Sequence, residues 1–310
     1  MNKDYPILVS VCSIAYNHEK YIAQMIESVI IQKTCFDYVL IIGEDCSTDK
    51  TREICDSYKS RYPDKIKLLY NDKNIGASKN IINVLNYCQS KYIAICEGDD
   101  YWTDPYKLQK QVDFLEVNPE YSAAVHQTER INENNPNKKE LYFKYSKDVL
   151  SKKEVIRSTS IHTNSIVFRK DALMKYDLKD AKHLVEHALF ILIVQSGKFK
   201  VFPEVMSVYR MHNCGIAATS TPEKAYVEQL AWIGEIKKIL GWKFYWGYHF
   251  LTSKVHCYYL LNHPETFTRG LFAKLIIFMK YAFMVLIYFP RNTKTVMRLL
   301  PKFGRLLIKE

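Results

Sequence analysis

Apolar and polar positions alternate in a regular way along the first 125 residues of the chain. Four apolar runs have the length of buried strands, and they occupy residues 7–14, 38–42, 66–70 and 92–96. Between and after these runs, apolar residues recur at helical spacing over residues 18–32, 50–61, 77–89 and 105–118. Strands that alternate with helices need crossover connections, so the pattern predicts an α/β fold with a mainly parallel central sheet.

The pattern changes after a further strand-like run at residues 121–126. An Asn- and Lys-rich stretch then predicts an exposed loop at residues 132–140. The elements expected beyond it are a helix at residues 182–196 and strands at residues 165–169, 199–202 and 205–209. From Pro222 onward the pattern is helical and increasingly aromatic and basic. We therefore predict a domain with two halves and a C-terminal helical extension, at residues 1–125, 126–218 and 219–310.

Charge is distributed unevenly along the chain. Of its 310 residues, 48% are hydrophobic and 25% are charged, which is an ordinary globular composition. The net charge is +11, and residues 269–310 hold nine Lys or Arg against Glu310 alone. Because the remaining residues are close to neutral, the globular body predicts no nucleic-acid partner.

Eight cysteines are spread along the chain without a Cys-x-x-Cys pair. Several lie in apolar runs, which favours buried, reduced thiols in a cytosolic protein over disulfides or a zinc site. The apolar stretch from Pro6 to Ala15 continues into polar residues without a small-residue cleavage site. We therefore interpret it as a first strand rather than a signal peptide.

Three carboxylates follow the fourth apolar run, at Glu97, Asp99 and Asp100. If the strand continues, Glu97 and Asp99 point the same way, and Gly98 leaves room above the backbone. Hard oxygen ligands at the end of a strand suit Mg²⁺ or Mn²⁺ that carries the phosphates of a substrate. The alternative is a solvated acidic turn that caps the next helix.

Polar residues follow the other strands as well, and ligands of open parallel sheets bind beyond the carboxyl ends of the strands. Tyr16, after the first strand, can stack on a nucleobase. Asp45, after the second, can accept hydrogen bonds from a base or cap a turn. Lys79 can reach a pyrophosphate or be an ordinary solvated lysine. The chain has no Gly-x-Gly-x-x-Gly after its first strand and no Gly-Lys-Ser/Thr loop, which argues against dinucleotide dehydrogenases and P-loop kinases.

Four motifs in order along residues 5–215 resemble those of bacterial family 2 glycosyltransferases with the GT-A fold. They are Tyr-Asn-His-Glu at 16–19, Gly-Glu-Asp-Cys-Ser-Thr-Asp at 43–49, Asn-x-Gly at 74–76 and Glu-Gly-Asp-Asp-Tyr-Trp-Thr-Asp-Pro at 97–105. The resemblance implies a GT-A type nucleotide-sugar-binding domain over residues 1–218. Its first half would bind the nucleotide, and its second half would face the acceptor.

The resemblance also implies roles for individual residues of the donor site. Members of the family hold a nucleotide-sugar, usually with UDP, through an Asp-x-Asp motif and a divalent metal, and residues 97–99 occupy that place here. Asp99 would be a metal ligand, and Glu97 a second ligand or a ribose contact. The further residues expected to bind the nucleotide are Ala15, Tyr16, Glu19, Asp45 and Asp100, with Lys79 at the diphosphate.

Inverting members carry an acidic pair at the start of a helix in the acceptor-facing half, followed by a strand and Tyr-Arg-x-His. Here Glu186 stands without a second acid, because His187 follows it. The resemblance gives Glu186 the general-base role, whereas the ordinary alternative is a first-turn carboxylate that the helix dipole favours. His212 closes the Tyr-Arg-Met-His string at 209–212, as a further metal ligand, a phosphate contact or a hydrogen-bonded loop histidine.

Together these features predict a metal-dependent inverting glycosyltransferase that uses Mn²⁺ or Mg²⁺ and a UDP-sugar. The acceptor would be a glycan or lipid-linked glycan in bacterial surface polysaccharide synthesis. One alternative is a nucleotidyltransferase, which should carry a basic Gly-rich loop after the first strand. The other is a catalytically degenerate, membrane-bound scaffold.

The C-terminal region raises the question of membrane association. Residues 271–289 form a 19-residue apolar stretch interrupted by Lys274 and Lys280, and each would cost ~2.5–3.5 kcal/mol near a bilayer centre. We therefore predict a helix lying on the inner face of the plasma membrane, in a cytoplasmic protein, rather than a span. A second basic helix is expected at residues 292–309. Packing onto the domain or an oligomer contact are the alternatives.

Overall fold

The computed structural model describes residues 5–157, 161–213, 220–263 and 271–288, together with Pro301. Its contacts divide the chain into two compact units, Met1–Asn213 and Cys214–Glu310. The predicted domain boundary at residue 218 and nearly all of the helix expected at residues 292–309 lie outside the described residues. None of the helices in the described part of the chain is both long and apolar enough to cross a bilayer.

The first unit contains ten strands, seven α-helices and a short 3-10 helix (Thr163–Ser165) within its described residues. The strands are β1 (Val9–Ala15), β2 (Tyr38–Glu44), β3 (Ile66–Tyr70), β4 (Tyr92–Ile95), β5 (Tyr101–Trp102), β6 (Tyr121–Asn132), β7 (Asn135–Leu141), β8 (Val149–Leu150), β9 (Val167–Arg169) and β10 (Lys198–Met211). The helices are α1 (Ile22–Ile30), α2 (Thr51–Arg61), α3 (Ala77–Tyr87), α4 (Lys107–Val117), α5 (Lys152–Arg157), α6 (Lys170–Met174) and α7 (Glu186–Ile193). The second unit contributes α8 (Pro222–Leu240), α9 (Tyr245–Asn262) and α10 (Leu271–Tyr288).

All ten strands belong to one sheet, in the order β3-β2-β1-β4-β9-β6-β10-β5, with β7 beside β6 and β8 beside β10. The strands from β3 to β4 run parallel, and β6 is parallel to β10. Between them, β9 is antiparallel to both of its neighbours. The predicted α/β architecture with a mainly parallel sheet is confirmed.

Helices cover both faces of the parallel part of the sheet, which explains its nearly continuous apolar strands. On one face Val9 and Val11 belong to the same core as Met25 of α1 and Leu108 of α4. On the opposite face α3 approaches so closely that a Cβ added at Gly43 would lie 2.4 Å from the side chain of Asn80 and 2.6 Å from that of Val84. A side chain at position 43 would therefore push this helix away.

The structure corrects two predicted elements. The stretch expected as an exposed loop at residues 132–140 mostly forms β7, which pairs antiparallel with β6. The hairpin is polar because it lies at the edge of the sheet, and cross-strand ion pairs such as Arg130–Glu140 at 2.9 Å replace apolar contacts. The two strands expected at residues 199–202 and 205–209 are one strand, β10, whose register shifts at Phe202–Val205. Pro203 thus lies within a bulge and does not end the strand.

The cysteines also differ in part from expectation. Five of those described are buried free thiols, whereas Cys35 is exposed and Cys46 is half-buried. Cys214 lies outside the described residues.

Candidate active site

The carboxyl ends of the parallel strands meet at one edge of the sheet. Ala15, the last residue of β1, pairs with Glu44 at the end of β2, and Cys12 pairs with Ile95 at the end of β4. Tyr16 follows β1 with an exposed side chain, whereas Ala15 is buried. Segments that are far apart in sequence therefore border the same space, as open parallel sheets require.

Hydrogen bonds tie the loop after β1 to the loop after β2. The backbone N–H of Asn17 donates to Ser47 Oγ at 3.0 Å, and Asn17 Oδ1 accepts from the N–H of Thr48 at 2.8 Å. The exposed Glu19 accepts from the N–H of Lys50 at 3.1 Å. Asn17 has a φ of 56°, which asparagine tolerates better than most residues. These bonds give the Tyr16–Glu19 segment a defined shape.

Asp45 is buried, and both of its carboxylate oxygens have partners. They accept from the backbone N–H groups of Ile75 and Gly76 and from Asn71 Nδ2, each at 2.9 Å. Asp45 therefore holds the loop that precedes α3. Lys79 is exposed in the first turn of that helix.

The three carboxylates after β4 lie in a turn, because the strand ends at Ile95 and the N–H of Asp100 donates to the carbonyl of Glu97 at 3.0 Å. The expectation that strand alternation orients Glu97 and Asp99 is therefore wrong. Gly98 is required at the turn, since an added Cβ would lie 2.7 Å from His18 Nδ1 and 2.9 Å from the carbonyl oxygen of Ile14.

Asp99 is the carboxylate that two imidazoles approach. Its Oδ2 lies 3.0 Å from His212 Nε2 and 3.8 Å from His18 Nε2. Burial raises the pKa of Asp99, but the hydrogen bond from His212 and the positive charge of a protonated His18 outweigh it, so the net pKa is lowered. Asp99 is thus held ionised, and its side chain is still partly exposed.

Asp100, the next residue, is wholly buried below the turn. Its Oδ1 accepts from the backbone N–H of Arg210 at 2.9 Å, and its Oδ2 accepts from Asn164 Nδ2 at 3.1 Å. Burial, with the charges of Asp99 and Glu97, raises the pKa of Asp100 well above its ordinary value. The side chain therefore faces the protein interior rather than the open side of the site.

Arg210 contacts the backbone of the turn that carries Asp99. Its guanidinium donates to the carbonyl oxygen of Asp99 and to Gln24 Oε1, and it stacks over the rings of Tyr21 and Tyr101 at 5.0 and 4.7 Å. Arg210 is buried, so these contacts fix the turn of Asp99 instead of leaving the charge free.

Glu186 is the first residue of α7, and its half-buried side chain lies within electrostatic range of the turn. Burial and then the charge of Asp99 raise the pKa of Glu186 to about 7. The pKa of Glu97 is raised well above its ordinary value by burial and by the charges of Glu186 and Asp99. The hydroxyl of Ser78 in α3 donates to the carbonyl of Leu184 at 3.2 Å, so the first turn of α3 borders the same region. The fold thus brings Glu186 to the carboxylate turn.

His187 does not take the place of the missing second acid. Its side chain is buried, and its Nε2 lies 2.9 Å from the carbonyl oxygen of Val155. Of Glu186 and His187, the first two residues of α7, Glu186 is the one that interacts electrostatically with Asp99.

The donor set of the site fits a hard divalent ion, and two groupings offer it. Asp99 and His212 form one, partly open to solvent. Glu97, Asp100 and His162 form the other, with ligand atoms within 4.8 Å of one another. Burial lowers the pKa of His162 to about 4, so this imidazole is a neutral potential ligand. In the second grouping Glu97 is half-buried, as Asp99 is, but Asp100 is already hydrogen-bonded to Asn164 and Arg210. In the first grouping Asp99 is the residue that solvent reaches, with a side chain 19% exposed against 2% for His212, and carboxylate and imidazole donors suit Mn²⁺.

A model of glycosyl transferase family 2 matches residues 10–176, more than half of the chain. The chain belongs to this family. The uncharacterised Mycobacterium tuberculosis protein Rv1520 is 36% identical to this family 2 chain over 209 residues. The aligned residues cover 67% of this chain and 60% of Rv1520. The candidate teichuronic acid biosynthesis glycosyltransferase TuaG of Bacillus subtilis is 36% identical over 108 residues, covering 35% of this chain and 42% of that protein.

Solved structures show the same fold. S. aureus TarS 1–349 in complex with UDP-GlcNAc superposes with a TM-score of 0.64 at 15% identity, covering 98% of this chain and 88% of that chain. The family and the GT-A fold expected from the four motifs are confirmed.

Sequence reasoning missed two residues that support the family 2 site. Asn164 donates to Asp100 and to the carbonyl of Val208 at 3.2 Å, and its Oδ1 accepts from Ser207 Oγ at 2.8 Å. His18 approaches both Asp99 and Gly98. Asn164 lies in no motif, whereas His18 belongs to the Tyr-Asn-His-Glu string and was passed over for its neighbours.

Proposed function

We propose that this chain is a metal-dependent, inverting glycosyltransferase that moves a sugar from a nucleotide donor, UDP-linked, to a hydroxyl of an acceptor. The observation that carries the proposal is the carboxylate of Glu186, whose pKa burial raises to about 7, within electrostatic range of the ionised Asp99. One group can accept a proton near neutral pH while the other anchors a cation. The family match favours sugar transfer over nucleotidyl transfer.

The proposed reaction is a single displacement. The acceptor oxygen attacks the anomeric carbon, its proton passes to the Glu186 carboxylate, and the bond to the donor phosphate breaks with its electron pair on the departing UDP. Asp99 and His212, with Glu97 beside them, would hold a divalent ion, which supplies Lewis-acid compensation for the charge of the diphosphate.

The proposed donor site follows the carboxyl edge of the sheet. Tyr16 is exposed there and can cover the base, with Ala15 and Glu19 in the same segment. Asp45 shapes the loop before α3, and the exposed Lys79 in the first turn of α3 would contact the diphosphate. Asp100 is assigned a supporting position beneath Asp99, because both of its oxygens are already hydrogen-bonded.

The proposed acceptor is a glycan or lipid-linked glycan of a bacterial surface polysaccharide, made at the inner face of the plasma membrane by a peripheral cytoplasmic enzyme. The similarity to TuaG, whose name refers to teichuronic acid biosynthesis, supports the polysaccharide. The complex of TarS with UDP-GlcNAc supports a UDP-sugar donor.

Asp99→Asn tests the proposal. In a thermal-shift assay with UDP, we expect Mn²⁺ to add stabilisation in the wild type and none in the variant, and we expect the variant to lose hydrolysis or transfer of a UDP-sugar. Asp64→Asn, at an exposed carboxylate just before the amino end of β3 and thus at the opposite edge of the sheet, is the matched control. Equal metal-linked UDP binding and turnover in the wild type and Asp99→Asn would contradict the proposed role.

A further inference from the structure

The turn between α8 and α9 exposes three large aromatic side chains. Residues 241–246, which we call the aromatic corner, comprise a short 3-10 turn at Gly241–Phe244 and the start of α9. Trp242, Tyr245 and Trp246 are 83%, 50% and 51% exposed. Single exposed aromatic residues are common, but three within five positions form a patch that suggests an interaction surface.

The aromatic corner is anchored from inside the helical unit. Phe244 is buried, and Gly247 lies so close to it that an added Cβ would be 2.4 Å from the Phe244 ring. Ile236 of α8 and Phe250 of α9 are buried on either side. The turn therefore presents its outer aromatic side chains on a packed base.

The surroundings of the aromatic corner are strongly basic. Lys237 and Lys238 lie in the last turn of α8, and Lys243 lies within the turn itself. Residues 236–263, all of them described, contain four Lys and no acid. Glu235 directly precedes this segment in α8, so the excess of positive charge lies on its C-terminal side, from Lys237 to Lys254.

Three helices bring their charges together at this end of the unit. Lys237 Nζ of α8 lies 4.1 Å from the ring centroid of Tyr248 in α9, and the rings of Tyr245 and His249 are 4.5 Å apart. Burial lowers the pKa of His249, and the charges of Lys280 in α10 and Lys237 lower it further. The positive charge of α10 thus adds to that of the corner.

We propose that the aromatic corner docks on an anionic lipid surface, with the rings of Trp242, Tyr245 and Trp246 at the level of the headgroups. Amphipathic indole and phenol rings prefer the boundary between headgroups and hydrocarbon, and flexible lysines extend to lipid phosphates. The absence of Arg from residues 236–263 favours lipid over a protein partner, because protein interfaces are enriched in Arg and depleted in Lys. It also disfavours nucleic acid, where Arg supplies stacking and paired phosphate contacts.

This proposal rests on the peripheral membrane location in the proposed function and names the surface that makes the contact, but it does not depend on sugar transfer. It also places docking at the α8–α9 turn, apart from the segment 271–310 that the sequence pattern alone indicated.

The four tryptophans of the chain make the proposal directly testable. Trp102 and Trp232 are buried, at 3% and 6% exposure, and serve as internal references. The full chain would be mixed with vesicles of phosphatidylcholine, with or without phosphatidylglycerol, that carry brominated acyl chains. We expect quenching of the fluorescence of Trp242 and Trp246 on vesicles containing phosphatidylglycerol and little on neutral ones.

Variants locate the contact. Trp242→Ser with Trp246→Ser should weaken co-sedimentation with the anionic vesicles about tenfold, and Lys238→Gln with Lys243→Gln should weaken it and its salt dependence. Tyr258→Ser, at an exposed aromatic residue elsewhere on α9, is the matched control and should bind as the wild type does. Circular dichroism verifies that each variant folds.

Several outcomes would overturn the proposal. They are absence of quenching in the wild type, unchanged vesicle binding by the double tryptophan variant, loss of binding by the Tyr258 control, and preferential binding of an oligonucleotide. A vesicle-free self-association that the tryptophan variant abolishes would instead assign the corner to a second copy of the chain. Quenching in the wild-type chain tests lipid contact of the aromatic corner without any variant, so the test does not depend on whether the variants fold. Sugar transfer to a water-soluble acceptor measures the proposed function separately, and its failure would leave the vesicle result standing.

Discussion

Replacing Glu186 by Gln tests the proposed general base through its unusual acidity. Burial, with the charge of Asp99, raises the pKa of Glu186 from its ordinary value of 4.5 to about 7. This rise makes ionisation of the side chain about 3 kcal/mol more costly in the folded chain than in the unfolded chain. The figure is an upper bound, because the side chain is half-buried and not sealed from water.

The first expected consequence concerns activity. In the metal-free chain, a carboxyl with a pKa of about 7 is about one-tenth ionised at pH 6 and about nine-tenths ionised at pH 8. A cation at Asp99 would lower this pKa, so kcat/KM should rise with pH by up to about tenfold across this range, and the rise should move to lower pH as metal is added. Glu186→Gln should lose transfer at every pH, because an amide cannot accept the proton. Glu186→Asp should retain a weaker reaction with an ionisation limb. Initial rates of sugar transfer between pH 5.5 and 8.5 measure these effects.

The second consequence concerns stability and has the opposite sign. Because the folded pKa of Glu186 lies above the unfolded one, stability falls as pH rises from about 4.5 to about 7, and the cost is fully present above that window. Gln imitates the protonated acid, so Glu186→Gln should stabilise the chain by about 2 to 3 kcal/mol more at pH 8 than at pH 5. Urea unfolding at the two pH values measures the difference.

Glu133→Gln, at an exposed carboxylate in the β6–β7 hairpin, is the control and should change stability equally at both pH values. A rise of kcat/KM with pH that does not move when the metal concentration changes, or an active Glu186→Gln enzyme, would refute the reasoning about the base. An equal stability change at pH 5 and pH 8 would refute the reasoning about its burial.

Three further predictions concern the surroundings of the site. Gly98→Ala should destabilise the chain and weaken metal-linked UDP binding, because the new Cβ would lie 2.7 Å from His18 Nδ1. Gly234→Ala in α8 is the control, since its Cβ meets nothing within 4 Å and should stabilise the chain by about 1 kcal/mol. Thermal unfolding compares the two variants, and a stability change of the same sign in both would contradict the steric argument. Asn164→Asp removes the hydrogen-bond donor to Asp100 and should lower the free energy of unfolding by about 2 kcal/mol. It should also raise the Mn²⁺ concentration needed for half-maximal sugar transfer. An unchanged metal requirement would argue against a supporting role of Asn164 in the site. Burial lowers the pKa of Lys107 to about 7, so burying this lysine costs the folded chain most below pH 7 and less as pH rises toward 10. Lys107→Met should therefore raise the free energy of unfolding by about 2 kcal/mol less at pH 9.5 than at pH 7.5. Urea unfolding measures this difference, and an equal gain at the two pH values would contradict the prediction.

The predictable part of the fold is the part whose local pattern reflects burial. The strands β1, β2 and β4 are covered on both faces, so their apolar runs identified them, and β3 was identified although only Ile66 of it is fully buried. β7 escaped prediction because both strands of an edge hairpin can be polar. The three-residue strand β9 was found, but its antiparallel position between β4 and β6 depends on partners far away in the sequence. No periodicity within residues 165–169 carries that information.

The residues of the candidate site also differ in how far the sequence predicts them. Asp99 and Glu97 were predicted because acids crowded after an apolar run are unusual without a cation. Glu186 could be proposed only through resemblance, since a first-turn acid is ordinary in helices. Asn164 was unpredictable, because its importance arises from contacts with Asp100 and Val208 across three different segments.

The opposite protonation of Asp99 and Asp100 explains how three adjacent carboxylates are tolerated. Asp100 is buried, with its pKa raised well above normal, while the imidazole of His212 keeps the pKa of Asp99 low. One negative charge is therefore held at the open side, and the charge that it exerts also raises the pKa of Glu97 and of Glu186. A cation bound at Asp99 would cancel that charge, favour ionisation of Glu97 as a further ligand and lower the pKa of Glu186. Donor binding with its metal would thus release protons and prepare the general base, which couples the two halves of the site through one carboxylate.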